Sequence, residues 1–261
     1  MTIEGIDGQR WTRAPRTEKV SDAVAREIAL DIVRKNLGAG SKLPPEAVML
    51  EQFGVGRSSL REALRILEVF GLIEIKPGRG GGPVVADVDA RDFGKMATFY
   101  YHLSRSTYRE LVEARQILEP FLASLAATRK TTEVVQQLEE AVAMTEAALD
   151  AEDDMTYLDG TSRFHEVVSG VSGNSVLDII GRSLKHAYAD RVVGLVTSPA
   201  LRQEVAREHR DIADAIIAGD GKKAEELMRS HMKAYSSQVA ERYPGLLDEM
   251  VRWHSASFTE S

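Results

Sequence analysis

At 261 residues the chain is long enough for two domains with separate cores, and its lack of cysteine excludes disulfides, thiolate metal sites and cysteine nucleophiles. It offers no run of about eighteen apolar residues for a membrane span and no charged-then-apolar leader, so a cytoplasmic protein is expected. The formal charge of −7 is unevenly spread: residues 1–87 hold 13 Lys and Arg against 12 Asp and Glu, leaving 20 against 28 in residues 88–261, where the whole acidic excess lies.

Residues 1–16 carry Trp11 and three arginines without a clear period, and read as an N-terminal arm. A first helix is predicted over 20–35, with Val24, Ile28, Ile32 and Val33 as its apolar stripe. Pro44-Pro45 suits the opening turn of a second helix, which runs to Phe53 and stops at Gly54-Val55-Gly56. A third helix starts at Arg57-Ser58-Ser59. Leu60, Ala63, Leu64 and Leu67 fall on one of its faces, and Arg57, Ser58, Arg61 and Arg65 on the other. Strands over 72–76 and 83–86 flank a Gly-rich tip with one cation, Arg79. This pattern is a winged helix-turn-helix over residues 17–87. Arginine forks onto a guanine edge and serine reaches a base or a phosphate, so the third helix suits the major groove. Taken alone, an Arg-bearing helix face is as often a solvated face.

The run LPPE, GVGRSSLREAL, LEVFGLIEIKPGRG resembles the N-terminal domain of the GntR family of bacterial transcription regulators, over roughly residues 17–87. The resemblance implies that Arg57, Ser58, Ser59 and Arg61 contact DNA and that the wing tip near Gly78 enters the minor groove; Arg65 on the polar face is read as holding a phosphate, and Arg79 as the cation of the tip. The family places an arginine directly after the glutamate of its LP-x-E motif, and here that position is Ala47, so one expected DNA contact is missing. A nearly neutral reading head gives weak non-specific binding and points to two copies on a pseudo-palindromic operator of double-stranded DNA.

A linker is expected at 88–91. From residue 92 to 242 the chain reads as an all-α bundle of about seven helices, with segments near 92–101, 107–129, 131–151, 155–171, 174–196, 199–218 and 221–242. The breaks fall at Ser104–Ser106, Thr131-Thr132, Gly173, Ser198-Pro199 and Gly219-Asp220-Gly221. Residues 243–261 are expected as a tail. Three of the six histidines, His165, His209 and His231, fall on apolar stripes of three different helices. One such histidine is more often a satisfied core residue than a ligand. Three together ask for many partners, which a divalent metal supplies at once.

RFHEVVSGVSGN, HRDIADAIIAGDGKKAEELMRSHM and YRELVEARQILEPFLASLAA are similar to the effector domain of the FadR subfamily, the FCD domain, over most of residues 92–240. Many members bind a divalent metal through one aspartate and three histidines, which implies His165, His209 and His231 as ligands of Zn or Ni. The aspartate position, one helical turn before His165, is Thr161, and Asp159 lies off that face. A metal-free pocket in which the histidines meet the effector, such as an acyl thioester, therefore stays open. Arg115 suits an anionic effector, a carboxylate or acyl derivative, against the competing reading of an ion pair with Glu119 at i+4. Asn174 is read as a helix cap or a ligand contact. A three-histidine metalloenzyme ranks lower, because no general base stands nearby and an enzyme would leave the reading head unexplained. The expected protein is a homodimeric, effector-responsive repressor and not an enzyme.

Overall fold

The computed structural model describes residues 3–4, 10–11, 18–78, 81–87, 90–171, 173–192 and 198–253. The chain divides into two units, Met1–Asp89 and Ala90–Ser261. Most of the predicted arm lies outside the described residues. Within it, β1 (Ile3–Glu4) and β2 (Arg10–Trp11) form a short antiparallel pair.

In the first unit α1 (Val20–Arg34), α2 (Glu46–Phe53) and α3 (Arg57–Val69) surround one apolar core. The predicted stripe of α3 is buried in full. On α1 the stripe is Ser21, Val24, Ala25 and Ile28, a strict i, i+3, i+4, i+7 set. Ile32 packs against its edge, but Val33 is 76% exposed and corrects the expectation, since one residue past Ile32 turns about 100° away from the core. Gly54 ends α2 in the left-handed conformation (φ +62°), a cap glycine adopts without a Cβ penalty. The wing pairs β3 (Ile73–Lys76) with β4 (Gly82–Val85) in the register Ile73↔Val85 to Lys76↔Gly82. Residues 40–43 lie along the other side of β4: Leu43 N–H donates to Pro83 O at 3.0 Å and Val85 N–H to Ser41 O at 2.9 Å. The wing is thus anchored on both sides.

Seven α-helices make up the described second unit: α4 (Ala90–Leu103), α5 (Tyr108–Arg129), α6 (Thr132–Asp150), α7 (Asp154–Gly170), α8 (Ser175–Val192), α9 (Pro199–Ala218) and α10 (Gly221–Arg242). Helix α4 starts two residues before the expected 92, inside the expected linker, because nothing in Ala90-Arg91 breaks a helix. The breaks carry the chemistry that stops helices. Thr107 and Glu110 form a reciprocal capping box on α5, and Thr131, Asp153, Ser198 and Asp220 cap α6, α7, α9 and α10.

Two apolar clusters fill this unit. Leu122, Ala123, Ala126 and Ala127 of α5 pack with Phe164, Ile212, Ile216 and Met228. Tyr108, Leu111 and Val112, from the first turns of the same helix, pack with Leu184, Tyr188 and Val239. Between these runs α5 carries Arg115 and Glu119, so a buried polar layer lies between the two cores, with Leu118 packed against both. The expected tail is corrected over 243–253. A 3-10 turn (Leu246–Asp248) buries Leu246 and Leu247, Val251 is fully buried, and Val251 N–H donates to Ser106 O at 2.8 Å.

Candidate functional site

The first turn of α3 presents Arg57 and Ser58 to solvent, with Ser59 half-buried and Arg61 and Arg65 exposed on the following turns. Leu60, Ala63, Leu64 and Leu67 lock the opposite face into the core, which fixes the rotation of the helix about its axis. Gly56 stands at the N-cap without a side-chain acceptor, so the open N–H groups and dipole of this turn favour an anion. Arg61 Nε lies 3.4 Å from Glu46 Oε1, and Arg65 Nη1 lies 2.6 Å from Glu68 Oε2. Exposed pairs of this kind contribute about 0–1 kcal/mol, so neither holds its guanidinium firmly in place. Ala47, exposed on the first turn of α2, offers no charge. At the wing tip Gly78 has φ +94° and accepts from Gly81 N–H at 3.0 Å, while Arg79 lies outside the described residues. Position 81 requires glycine, since a Cβ would stand 2.2 Å from Lys76 O.

In the helical unit α7, α9 and α10 bring His165, His209 and His231 together, with one nitrogen of each within 4.8 Å of the others. Each histidine falls on an apolar stripe of its helix, and the packing of the three helices makes them converge. His209 and His231 are 1% and 3% exposed, and the His165 side chain 12%. His209 stacks on Phe164 at 4.1 Å between ring centroids. The Nε2 atoms of His209 and His231 are 3.2 Å apart. Two ligands at zinc–nitrogen distance in a tetrahedron stand about 3.3 Å apart, so this donor pair fits a metal. His209 Nδ1 is buried without a hydrogen-bond partner. Burial, and then His231 and His165 beside it, hold the His209 imidazole well below its usual pKa and therefore neutral, the form a metal requires.

Thr161 does not replace the missing carboxylate: its hydroxyl donates to Leu158 O at 2.9 Å, and Asp159 is exposed. The carboxylates that do meet the histidines come from elsewhere. Glu119 Oε2 lies 2.6 Å from His165 Nδ1, and Glu208 Oε2 lies 2.7 Å from His231 Nδ1. Arg115 Nε donates to Glu119 Oε1 at 2.6 Å, and the guanidinium sits 4.9 Å over the Tyr188 ring. Arg115 and Glu119 are 5% and 3% exposed, so the ion pair weighed from sequence is a buried one. Burial opposes the charge on Glu119, but the Arg115 guanidinium and then His165 outweigh it and hold the carboxyl well below the usual carboxylate range. Burial lowers His165 in spite of Glu119. Asn174 is exposed, and its Oδ1 accepts from Val176 and Leu177 N–H at 3.1 and 3.3 Å, the geometry of a cap on α8.

Comparison with known proteins gives two domain matches: residues 20–81 match the gntR family of bacterial regulatory proteins, and residues 110–234 match the FCD domain. The HTH-type transcriptional regulator Mce2R of Mycobacterium tuberculosis is 30% identical over 212 residues, 77% of this chain and 83% of the relative. The uncharacterised HTH-type transcriptional regulator Rv0494 of Mycobacterium tuberculosis is 29% identical over 92% of this chain and 98% of its own length. Among solved structures, a GntR protein of Streptococcus agalactiae superposes with a TM-score of 0.62 at 27% identity, over 83% of this chain and 99% of that one.

Proposed function

The chain belongs to the gntR family of bacterial regulatory proteins and carries an FCD effector domain, and on that premise we propose that this DNA-binding transcription regulator is a homodimeric repressor released by a small organic acid. Arg57 and Arg61 read bases, and Ser58, Ser59 and Arg65 hold phosphates, while the wing tip at Gly78 and Arg79 enters the minor groove. His165, His209 and His231 hold a divalent cation, Zn or Ni, which supplies a Lewis-acidic point for the effector's carboxylate or acyl oxygen. Effector binding favours one arrangement of the two reading heads over another, and DNA affinity follows. A cytoplasmic location follows from the DNA-binding role; no described helix is long and apolar enough to cross a membrane.

The observation that carries the effector half is the group of three imidazoles within 4.8 Å. Elemental analysis of the purified protein is expected to give about one metal per chain, lost in His209→Ala. For the DNA half, a fragment selected by the protein from a random pool is expected to lose about 10- to 100-fold in affinity with Arg57→Ala or Arg61→Ala. Unchanged specific binding in both variants would overturn the assignment of α3. One observation favours a metal-free pocket: Thr161 stands where an anionic ligand is expected and spends its proton on Leu158. Absence of metal after incubation with Zn²⁺ and Ni²⁺ would establish that reading, with acyl thioesters the first effectors to test.

A further inference from the structure

Each imidazole has one proton when neutral, and whichever nitrogen carries it cannot ligate a metal. Which nitrogen that is depends on what the other one meets. His165 and His231 each point Nδ1 at a carboxylate oxygen, 2.6 Å away at Glu119 and 2.7 Å away at Glu208. A carboxylate oxygen accepts here, so both Nδ1 atoms carry a proton, and with each imidazole in its neutral form both Nε2 atoms keep a free lone pair. His209 has the opposite surroundings. Its Nδ1 is buried without a partner, and its Nε2 lies 3.2 Å from the Nε2 of His231. Because His231 Nε2 holds a lone pair, the contact is a hydrogen bond only if His209 donates from Nε2.

We propose that Glu119 and Glu208 are positioning residues that preset His165 and His231 as Nε2 ligands, and that His209 carries its proton on the ligating nitrogen until the site is filled. The consequence for affinity rests on the metal reading above, whereas the tautomers do not. The two carboxylates come from α5 and α9, so the cluster of three imidazoles and two carboxylates draws five residues from four helices. In this chain they do from outside the coordination sphere part of what an aspartate at position 161 would do inside it: they make the bound histidines more basic and fix their ring planes. His209 has no carboxylate on its Nδ1; it stacks on Phe164, and it must shift its proton to Nδ1 before its Nε2 can ligate.

The test reads ring nitrogens directly. Long-range ¹H–¹⁵N correlation spectra of the chelator-treated full chain, assigned with single histidine variants, are expected to show Nδ1–H at His165 and His231 and Nε2–H at His209. Addition of Zn²⁺ is expected to move His209 to Nδ1–H and leave the other two unchanged. Glu208→Ala, at a side chain 27% exposed, should lose the fixed tautomer at His231 and weaken Zn²⁺ binding about 10- to 100-fold. Glu208→Gln keeps an acceptor oxygen and should retain the tautomer with a smaller loss. An Nε2–H proton on His165 or His231 in the wild type, or an unchanged His231 spectrum in Glu208→Ala, would overturn the proposal. The stated tautomers without Zn²⁺ uptake would support it and sink the metal reading alone.

Discussion

Replacing Arg115 with methionine tests the buried polar layer most directly, because it keeps the length of the stem and deletes only the guanidinium. Glu119 then stays 3% exposed with its 2.6 Å partner gone, and its remaining neighbour, His165, is biased towards the neutral form by burial. Removing one member of a buried ion pair costs about 3–5 kcal/mol, most of it the penalty of the charge left behind. For a helical unit of this size each kcal/mol lowers the midpoint by about 2–4 °C, so Arg115→Met should melt roughly 6–20 °C below wild type by scanning calorimetry. The reading head should keep its own transition. Arg115→Met/Glu119→Leu removes both charges and should recover part of the loss. It should remain short of wild type by about 1–3 kcal/mol, because His165 Nδ1–H then has no acceptor. A cost under about 1 kcal/mol for the single variant would mean that the Glu119 carboxylate is solvated, and the ion-pair account of this layer would fail.

Ala47→Arg places a cation on the exposed first turn of α2 where the family motif has one. Non-specific DNA affinity measured against salt should rise, with a slope steeper by about one phosphate; an unchanged slope would show that this turn does not meet DNA. Gly81→Ala drives a Cβ to 2.2 Å from Lys76 O, so the wing should rearrange and DNA affinity fall while the calorimetric transition of the helical unit stays fixed. Leu247→Ala opens a cavity in the second cluster, where this side chain is buried, and should cost about 2–5 kcal/mol in urea unfolding. A loss under about 0.5 kcal/mol, typical of exposed positions, would return residues 243–253 to the status of a tail.

Periodicity made most of the helices legible. The stripe of α3 and the breaks at Thr131, Ser198 and Gly219 all carry local chemistry, because a cap or a left-handed glycine acts within four residues of itself. The convergence of His165, His209 and His231 was half legible. Each falls on an inward stripe, but only the packing of α7, α9 and α10 turns three stripes into one site. Glu208 was not legible at all. It precedes His209, so its side chain points about 100° from that histidine on the helix and meets His231 on α10 instead. Glu119 was visible only as the i+4 partner of Arg115, while its second oxygen serves a histidine 46 residues away. Leu246, Leu247 and Val251 escaped for a simpler reason: six residues are too few to show a period.

The returning C-terminal segment has a consequence for how the chain is made. Tyr108 N–H donates to Glu249 O at 3.1 Å, Arg109 pairs with Asp248 at 2.8 Å, and His102 Nδ1 lies 2.9 Å from Val251 O. The end of α4 and the start of α5 are therefore stitched to residues some 140 to 150 positions later. The reading head, by contrast, closes its core by Val85. On the ribosome the head can fold while the helical unit is still a string of unpaired amphipathic helices, waiting for its last ten or so residues. Nascent chains stalled with residue 242 outside the exit tunnel should show a protease-resistant head and a sensitive remainder, and resistance should appear throughout once Val251 has emerged. The protein acquires its grip on DNA before it acquires the unit that regulates that grip.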